Sequence, residues 1–570
     1  MSDADKATNS ISKLGSYLKR IELLKGERSS FMPLWRELSD YILAHRGRFL
    51  VSDRNKGHKR NTKQINNTGK RAVRTIASGM MAGITSPARP WFKLALTDSS
   101  VADDPEVKAW LIKVETIMRE IYNQSNVYNV LHTTYAELAV FGTASMGVFE
   151  DYDNVIRAKS YTIGGYLLGL NGKDEVDTWA REYQATVGQL IKEFGKENCS
   201  TQVNKQWSSG NTEAWVDVCH LIEPNDDRDM MSPIPEAKHM KYRSVYFEKN
   251  SPKTNQKFLR VSGFNDFPIM APRWDVTGED VYATACPGID AIGDNKALQL
   301  SETQLYEGIE LRNNPHMVAP TSLRNVITKG LPAGEISFVD GQDGNGGIKP
   351  AYQFNPQIGD HQTDIQRVED RIEKSFYVDL FLMLSNSDRR QITAREIAER
   401  HEEKLLMLGP VLERLHNELL DPLIDRTFNI GMEAGIFGKI PDALSEKSLK
   451  VEYISVLAQA QRMVATSAIE QTAGFVAEIA QIWPESRHML KPDKMVDSFG
   501  KAIGISPEMM ATPDEYEGAV QQEQQQAQAQ QMAEAAPAMV DSAKTMSETD
   551  VSGDGEDGLS SIMQRMGLSG

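Results

Sequence analysis

Apolar residues recur along the first part of the chain at the spacing of one helical face. Ile11, Leu14, Leu18 and Ile21 stand 3, 4 and 3 residues apart, which predicts an amphipathic helix. Pro33 suits the first turn of a second helix, where a missing amide donor is harmless, with Leu34, Leu38 and Tyr41 along one side. A third helix is predicted to open at Asp104-Pro105-Glu106. There a side-chain oxygen can cap free amides, a proline is pre-set for helical φ, and an acid sits near the positive helix end. Trp110, Val114, Ile117 and Ile121 form its apolar stripe.

The period changes between about 147 and 274. Val216, Val218 and Ile222, then Val245 and Phe247, then Leu259 and Val261 sit on short alternating runs bounded by turn-forming residues. One short helix, 187–194, is expected among these strands. Helical spacing returns over 290–312 and stops at Asn313-Asn314-Pro315. Next come a strand-like run, 335–339, and the glycine-rich stretch 341–347. A further helix is predicted over 360–384, then a polar break, Ser385-Asn386-Ser387-Asp388-Arg389-Arg390. Thr393-Ala394-Arg395-Glu396 has capping-box spacing. It heads a stripe of Ile397, His401, Leu405, Leu408, Leu412, Leu415 and Leu419. Pro410 lies inside that stripe and predicts a kink near Gly409. Another helix is expected over 455–482. The fold class this predicts is α+β, mainly helical.

Composition narrows the class. The 570 residues are 40% hydrophobic and 25% charged, which suits a folded chain of several domains. No apolar run approaches the roughly 18 residues of a membrane span, and mean hydropathy is −0.43. Residues 1–10 are polar, so no secretory signal is expected. Cys199, Cys219 and Cys286 are odd in number and far apart, which argues against a disulfide scaffold.

The net charge of −16 is unevenly placed. Residues 514–570 hold eleven acids and two bases, so the preceding 513 residues carry only −7. Eight glutamines fall within 521–531, and so polar a tail cannot offset its ordering entropy alone. In the opposite sense, Arg46, Arg48, Arg54, Lys56, Lys59, Arg60, Lys63, Lys70, Arg71 and Arg74 face one acid, Asp53. This stretch could contact phosphates, or it could be a solvated loop or a patch for an acidic protein neighbour. Its single aromatic residue, Phe49, gives no support for base stacking.

Catalytic and metal-binding patterns are absent. Gly69-Lys70-Arg71 lacks the upstream glycine and the hydroxyl residue of a phosphate loop, and His401-Glu402-Glu403-Lys404 lacks the second histidine of a zinc helix. Asp226, Asp227 and Asp229 have no companion cluster. The run from Asp550 through Ser552, Asp554 and Gly555 imitates a calcium loop but has Ser561 at the twelfth position in place of glutamate. No metal, no cofactor and no catalytic residue is expected.

The order of elements, two long helices flanking a glycine-rich insertion and then a polar loop and a kinked helix, resembles the portal, or head-to-tail connector, proteins of short-tailed bacteriophages. The most specific stretch is ITAREIAERHEEKLLMLGPVLERLHNELLDPLIDR at 392–426. GITSPARPWFKLAL at 83–96 and VYNVLHTTYAELAVFGTASMGVFED at 127–151 are similar as well. The chain departs from the family where Tyr282 is followed by Ala283-Thr284-Ala285-Cys286-Pro287-Gly288 rather than a Ser-Pro turn. The start of the first stem helix therefore does not carry over.

The resemblance implies a ring, commonly of twelve subunits, at one capsid vertex, which conducts double-stranded DNA without sequence specificity. It implies a wing over 1–287 and stem helices over 288–313 and 357–384, flanking a clip over 314–356. A tunnel loop over 385–391, a kinked wing helix over 392–427 and a crown over 428–513 follow. The tail 514–570 is either an internal barrel or unordered. Asn386, Ser387, Asp388, Arg389 and Arg390 are the DNA-facing candidates. Asp364, Arg367, Glu369, Arg371, Glu373 and Lys374 are channel-lining candidates, and their like-signed neighbours four residues apart favour pairing between subunits. Major capsid and scaffolding proteins, terminase and tail adaptor proteins are the expected partners, with assembly in the host cytoplasm and no membrane. Two rivals stand beside this reading: another virion component such as a tail adaptor or shell protein, and a DNA-packaging enzyme that uses the basic arm.

Overall fold

The structure, a computed structural model, describes residues 3–51, 63–96, 104–228, 239–250, 258–314, 317–318, 349–350, 358–385, 408–441, 444, 449–455, 457–458 and six positions after 474. The chain forms two compact units, 1–464 and 465–570, and every element named below belongs to the first.

Helix α1 (Asp3–Ser29) carries the predicted stripe, with Leu14, Tyr17, Ile21 and Leu24 buried. Helix α2 (Met32–Tyr41) holds Pro33 in its first turn and buries Trp35 and Leu38. The end of the basic stretch is helical, since Lys70, Arg71 and Arg74 lie on α3 (Thr68–Gly83). Strand β1 (Phe92–Leu96) follows. Helix α4 (Pro105–Gln124) starts as its sequence predicts, with the Asp104 carboxylate accepting from the amide of Glu106 at 2.9 Å. Trp110, Val114 and Ile121 are buried along it, and Ile117 is half-buried.

Helix α5 (Val127–Phe141) buries ten of its fifteen residues and leaves only a narrow strip, Asn129, His132 and Thr133, toward solvent, the mark of a helix largely inside a core. It ends at Gly142, whose φ of +73° is left-handed, a conformation that glycine adopts without steric penalty. Its one carboxylate, Glu137, is buried beside Arg46, with Arg46 Nη1 at 3.5 Å and the amide of Ile163 donating at 3.2 Å.

Strands β2 (Ser145–Asp151) and β3 (Val155–Tyr161) pair with each other, and β2 also pairs with a two-residue strand, β9, described below. Strands β4 (Tyr166–Leu170), β5 (Val176–Thr186), β6 (Trp215–Pro224), β7 (Tyr242–Glu248) and β8 (Phe258–Phe264) form an antiparallel meander in that order. Helices α6 (Val187–Phe194) and α7 (Thr201–Ser208) lie between β5 and β6 in sequence. The period of two sorts the side chains. Cys219, Leu221, Val245 and Phe247 pack on α1, while Val218, Tyr246 and Leu259 pack on α6 and α7. Strand β9 (Ile269–Met270) completes the smaller sheet.

At the position that departs from the family pattern, the Cys286 sulfur accepts from the amide of Ile289 and caps a single helical turn, Pro287–Asp290. The long helix α8 (Ile292–Asn313) follows. Two-residue strands β10 (Met317–Val318) and β11 (Lys349–Pro350) pair antiparallel. The helix predicted over 360–384 is two helices, α9 (Ile358–Ser375) and α10 (Val378–Ser385). Tyr377, with φ of +52°, separates them. The turn lets the apolar second half leave its polar first half: Phe381 packs on α3 at Gly79, where an added Cβ would stand 2.3 Å from the Phe381 Cβ.

Residues 408–415 are helical and continue through a π-helical stretch, His416–Leu420, into α11 (Asp421–Glu433). The wider turn precedes Pro422, which has no amide for the usual bond to the carbonyl four residues back. The stretch presents Glu418 to Arg273, which donates from its backbone amide, Nε and Nη2 at 2.7, 3.1 and 2.6 Å. The expected kink near Gly409 stands at the edge of the described residues, and the capping box at Thr393 lies outside them. Strand β12 (Leu449–Tyr453) pairs with β1 and so ties 449–453 to the N-terminal core. All three cysteines are free and buried. Burial pushes the thiols of Cys199, Cys219 and Cys286 up to about 11, 12 and 12, so they serve as packing groups.

Burial raises the Glu137 carboxyl to about 7, against the opposing pull of Arg46. An acid with a raised folded pKa favours its protonated form, so its cost is absent below the ordinary value of 4.5 and complete above about 7. Glu137→Gln should therefore gain stability relative to the parent as pH rises from 5 to 8, with a ceiling on the order of 3 kcal/mol. Thermal unfolding midpoints of both proteins at several pH values check this, and a difference independent of pH is the contrary result.

Candidate functional site

The residues expected to meet DNA or channel water fall on three segments: the basic stretch, α9 and the loop after α10. The loop (Asn386, Ser387, Asp388, Arg389, Arg390) and Arg54, Lys56, Lys59 and Arg60 lie outside the described residues. The structure brings the last part of the basic stretch, residues 66–71, against α9.

Helices α8 and α9 pack on each other, and α3 lies across them. Residues 65–68 form the seam. Gln299 on α8 accepts from the backbone amides of Ile65 and Asn66 at 2.6 and 2.8 Å, and its Nε2 donates to the Asn66 carbonyl at 3.0 Å. The Asn66 side-chain amide donates to Glu302 of α8 and to Glu369 of α9, both at 2.8 Å. Its own oxygen accepts from the amide of Thr68 at 2.8 Å, the local turn that asparagine favours before a helix. The Thr68 hydroxyl stands 2.9 Å from the same Glu369 oxygen. Gly69 admits the buried Asn295 side chain of α8, since an added Cβ would lie 2.2 Å from Asn295 Oδ1.

Ion pairs flank this strip. Arg371 of α9 reaches Asp294 of α8 at 2.8 Å, and Arg71 of α3 reaches Glu373 of α9 at 3.3 Å. Lys63 pairs with Asp40 at 2.8 Å, and Lys296 pairs with Glu37 at 2.7 Å. Partly exposed pairs of this kind contribute little each, about 0–1 kcal/mol; the hydrogen-bonded seam between them fixes the register.

The six α9 candidates thus divide into two groups. Glu369 and Glu373 turn toward residues 65–71. Asp364, Arg367 and Lys374 face outward with Arg371, on the side opposite buried Ile365, Val368 and Ile372. The like-signed pattern that favoured partners on other subunits meets partners within the chain: Arg367 pairs with Asp364 in its own helix at 3.2 Å, and Arg371 and Glu373 have the pairs just given. Four-residue spacing alone could not reveal that α3 and α8 supply opposite charges.

The basic stretch is divided too. Arg46 turns inward to Glu137, and Lys63 and Arg71 are paired. Lys70 is half-buried, Arg74 is exposed, and neither has an ion pair among the described residues. Arg48 is exposed, and its backbone amide donates to the Ile163 carbonyl at 2.8 Å. Of the acidic loop set aside above, Asp227 lies 3.4 Å from Arg243, and no group of metal-ligating residues occurs among the described residues.

Asn66, Gln299 and Glu302 were not singled out in the sequence. Their only signal is Asn66-Asn67-Thr68, a turn-and-cap pattern just before a helix. Asn66→Ala removes four hydrogen bonds and leaves two neighbouring carboxylates without their shared donor, so it should cost about 1.5–3 kcal/mol. Added salt should restore part of that loss by screening the carboxylates. Unfolding midpoints at low and high ionic strength measure both effects, and an unchanged midpoint contradicts the seam.

Residues 14–510 match the family described as Bacteriophage head to tail connecting protein. The chain is 45% identical over 535 residues to the "Portal protein" of Salmonella phage epsilon15, covering 94% of this chain and 95% of that one. It is 42% identical over the same length and shares to the "Probable portal protein" of Bordetella phage BPP-1. The packed pair α8 and α9, the short ladder between them and the helical stretch from residue 408 through α11 follow one another along the chain. The chain belongs to the bacteriophage head-to-tail connecting proteins, the family of phage portals, and is a structural component rather than an enzyme.

Proposed function

We propose that copies of this chain close into a ring of about twelve at one capsid vertex, with α8 and α9 around the central passage. The observation that carries the reading is similarity to portal proteins over 94% of the chain. Support comes from α8, whose apolar residues point in several directions. Leu298 is buried against the chain itself, while Leu300, Tyr306 and Leu311 are exposed. Apolar side chains all round a helix call for cover on more than one side, which a neighbouring copy supplies.

A passage for DNA must hold a polyanion without gripping it, because many phosphate contacts give tight, salt-sensitive binding that stalls movement. The outward side of α9 meets this need by mixing signs, with Asp364 and Arg367 neutralising each other. Arg389 and Arg390 would touch the DNA backbone from the tunnel loop. The excursion between β10 and β11 would be the clip, offered to terminase during packaging and to tail adaptor proteins afterwards. The wing would meet the major capsid and scaffolding proteins during assembly in the host cytoplasm. No helix among the described residues is long and apolar enough to cross a membrane.

Two measurements test the reading. Twelve copies of 63.6 kDa should give a particle of roughly 760 kDa by mass photometry or light scattering, with an axial hole in negative stain. A monomer under every assembly condition contradicts it. Replacement of Arg389 and Arg390 together by alanine should leave the ring intact and lower packaged or retained DNA. Unchanged DNA content would remove the loop from the passage.

A further inference from the structure

The larger sheet carries a cavity for which the connector role has no use. It measures about 390 Å³ and lies between α1, strand β3 of the smaller sheet, strands β4 and β5 of the larger one, and residues 48–51. Five cations, Lys25, Arg28, Arg48, Lys159 and Arg181, line it against one carboxylate, Glu182. That carboxylate is already engaged by Lys25 at 2.7 Å and Lys249 at 3.1 Å. Arg28 donates from Nη1 to the carbonyls of Gly164 and Tyr166. Arg48, Lys159 and Arg181 have no ion pair among the described residues.

Two observations separate this cavity from an ordinary basic surface. The Nε atoms of Arg28 and Arg181 are buried, and neither has an acceptor. A buried donor left without a partner costs about 1–3 kcal/mol, so both guanidinium groups are incompletely satisfied by the chain itself. Moreover, the Arg181 guanidinium sits 4.0 Å from the Tyr183 ring centroid and 5.3 Å from that of Tyr161. Held against aromatic rings, a guanidinium is fixed in place with donor edges free to meet an oxyanion. Partial burial, then the cations Arg181 and Arg48, push the Lys159 amine down to about 8. Like charges so crowded in a concave site are relieved by an anion between them.

We propose that this cavity is an oxyanion site for a phosphate-class anion, either a backbone phosphate of DNA or a small free phosphate. A single carboxylate offers two oxygens and one charge, too few for three lining cations that have no ion pair among the described residues. A phosphate offers more acceptors in a compact shape, and the volume falls within the range of about 300–1,000 Å³ of small-ligand sites. The site lies on the sheet, apart from α8 and α9, so it stands whether or not the ring reading holds.

The test uses the full-length protein with inorganic pyrophosphate as probe, titrated calorimetrically in chloride buffer. One site per chain is expected. Lys159→Gln should weaken binding about tenfold, and Arg181→Gln should weaken it further. Arg157→Gln, on the same strand but outside the cavity, should leave it unchanged. Competition by a short DNA duplex that is lost in Lys159→Gln assigns the site to the genome. Pyrophosphate binding that DNA leaves untouched assigns it to a free phosphate. The proposal is overturned by no binding at about 1 mM pyrophosphate, by equal affinity in the Lys159 and Arg181 variants, or by a polyglutamate peptide that binds more tightly than pyrophosphate.

Discussion

Two long, largely polar helices are anchored to the rest of the chain by a strip of buried and half-buried hydrogen bonds at residues 65–68. Helix α9 buries only Ile365, Val368 and Ile372 over eighteen residues, which is too little apolar surface to fix its position. The donors and acceptors of Asn66, Thr68, Gln299, Glu302 and Glu369 do that instead. Each is satisfied only when α3, α8 and α9 stand in one register. Apolar contact tolerates sliding, whereas a buried polar network does not.

Helix α3 is the shelf on which this depends. Near its start Gly69 admits Asn295, and one face further along Gly79 admits Phe381. The same helix thus touches both long helices and the short α10 that follows them. A second buried polar contact secures the opposite region, where the π-helical turn hands Glu418 to Arg273. Removing one partner there would strand a buried charge, the costly way to break such a pair.

Much of this frame is legible from sequence where a local rule decides the outcome. The Asp104 cap, Pro33 in its first turn, the 187–194 helix and the alternating strands around 216–261 stand where spacing and capping chemistry place them. The rule fails where tertiary contact decides. Helix α5 shows only a narrow polar strip, Asn129, His132 and Thr133, amid apolar residues, and β1 and β12 are a pair separated by most of the chain. The break at Tyr377 exists because Phe381 must reach Gly79, which no window of a few residues contains. At the site, the charged residues were visible but their partners were not, since Asp294, Glu302 and Arg71 come from elements far apart in sequence. Membership in the connector family was readable because ITAREIAERHEEKLLMLGPVLERLHNELLDPLIDR is long and ordered, a signal that no single residue carries.

The two-residue ladder of β10 and β11 closes the excursion between α8 and α9 at its base. A loop whose ends are already pinned bears only a slowly growing entropic penalty for extra length, about 0.6 kcal/mol for each doubling. The insert is therefore mechanically insulated from the helices beneath it. Changes of length between positions 318 and 349 therefore need not move α8 and α9, so relatives could vary this stretch and keep the helix pair beneath it.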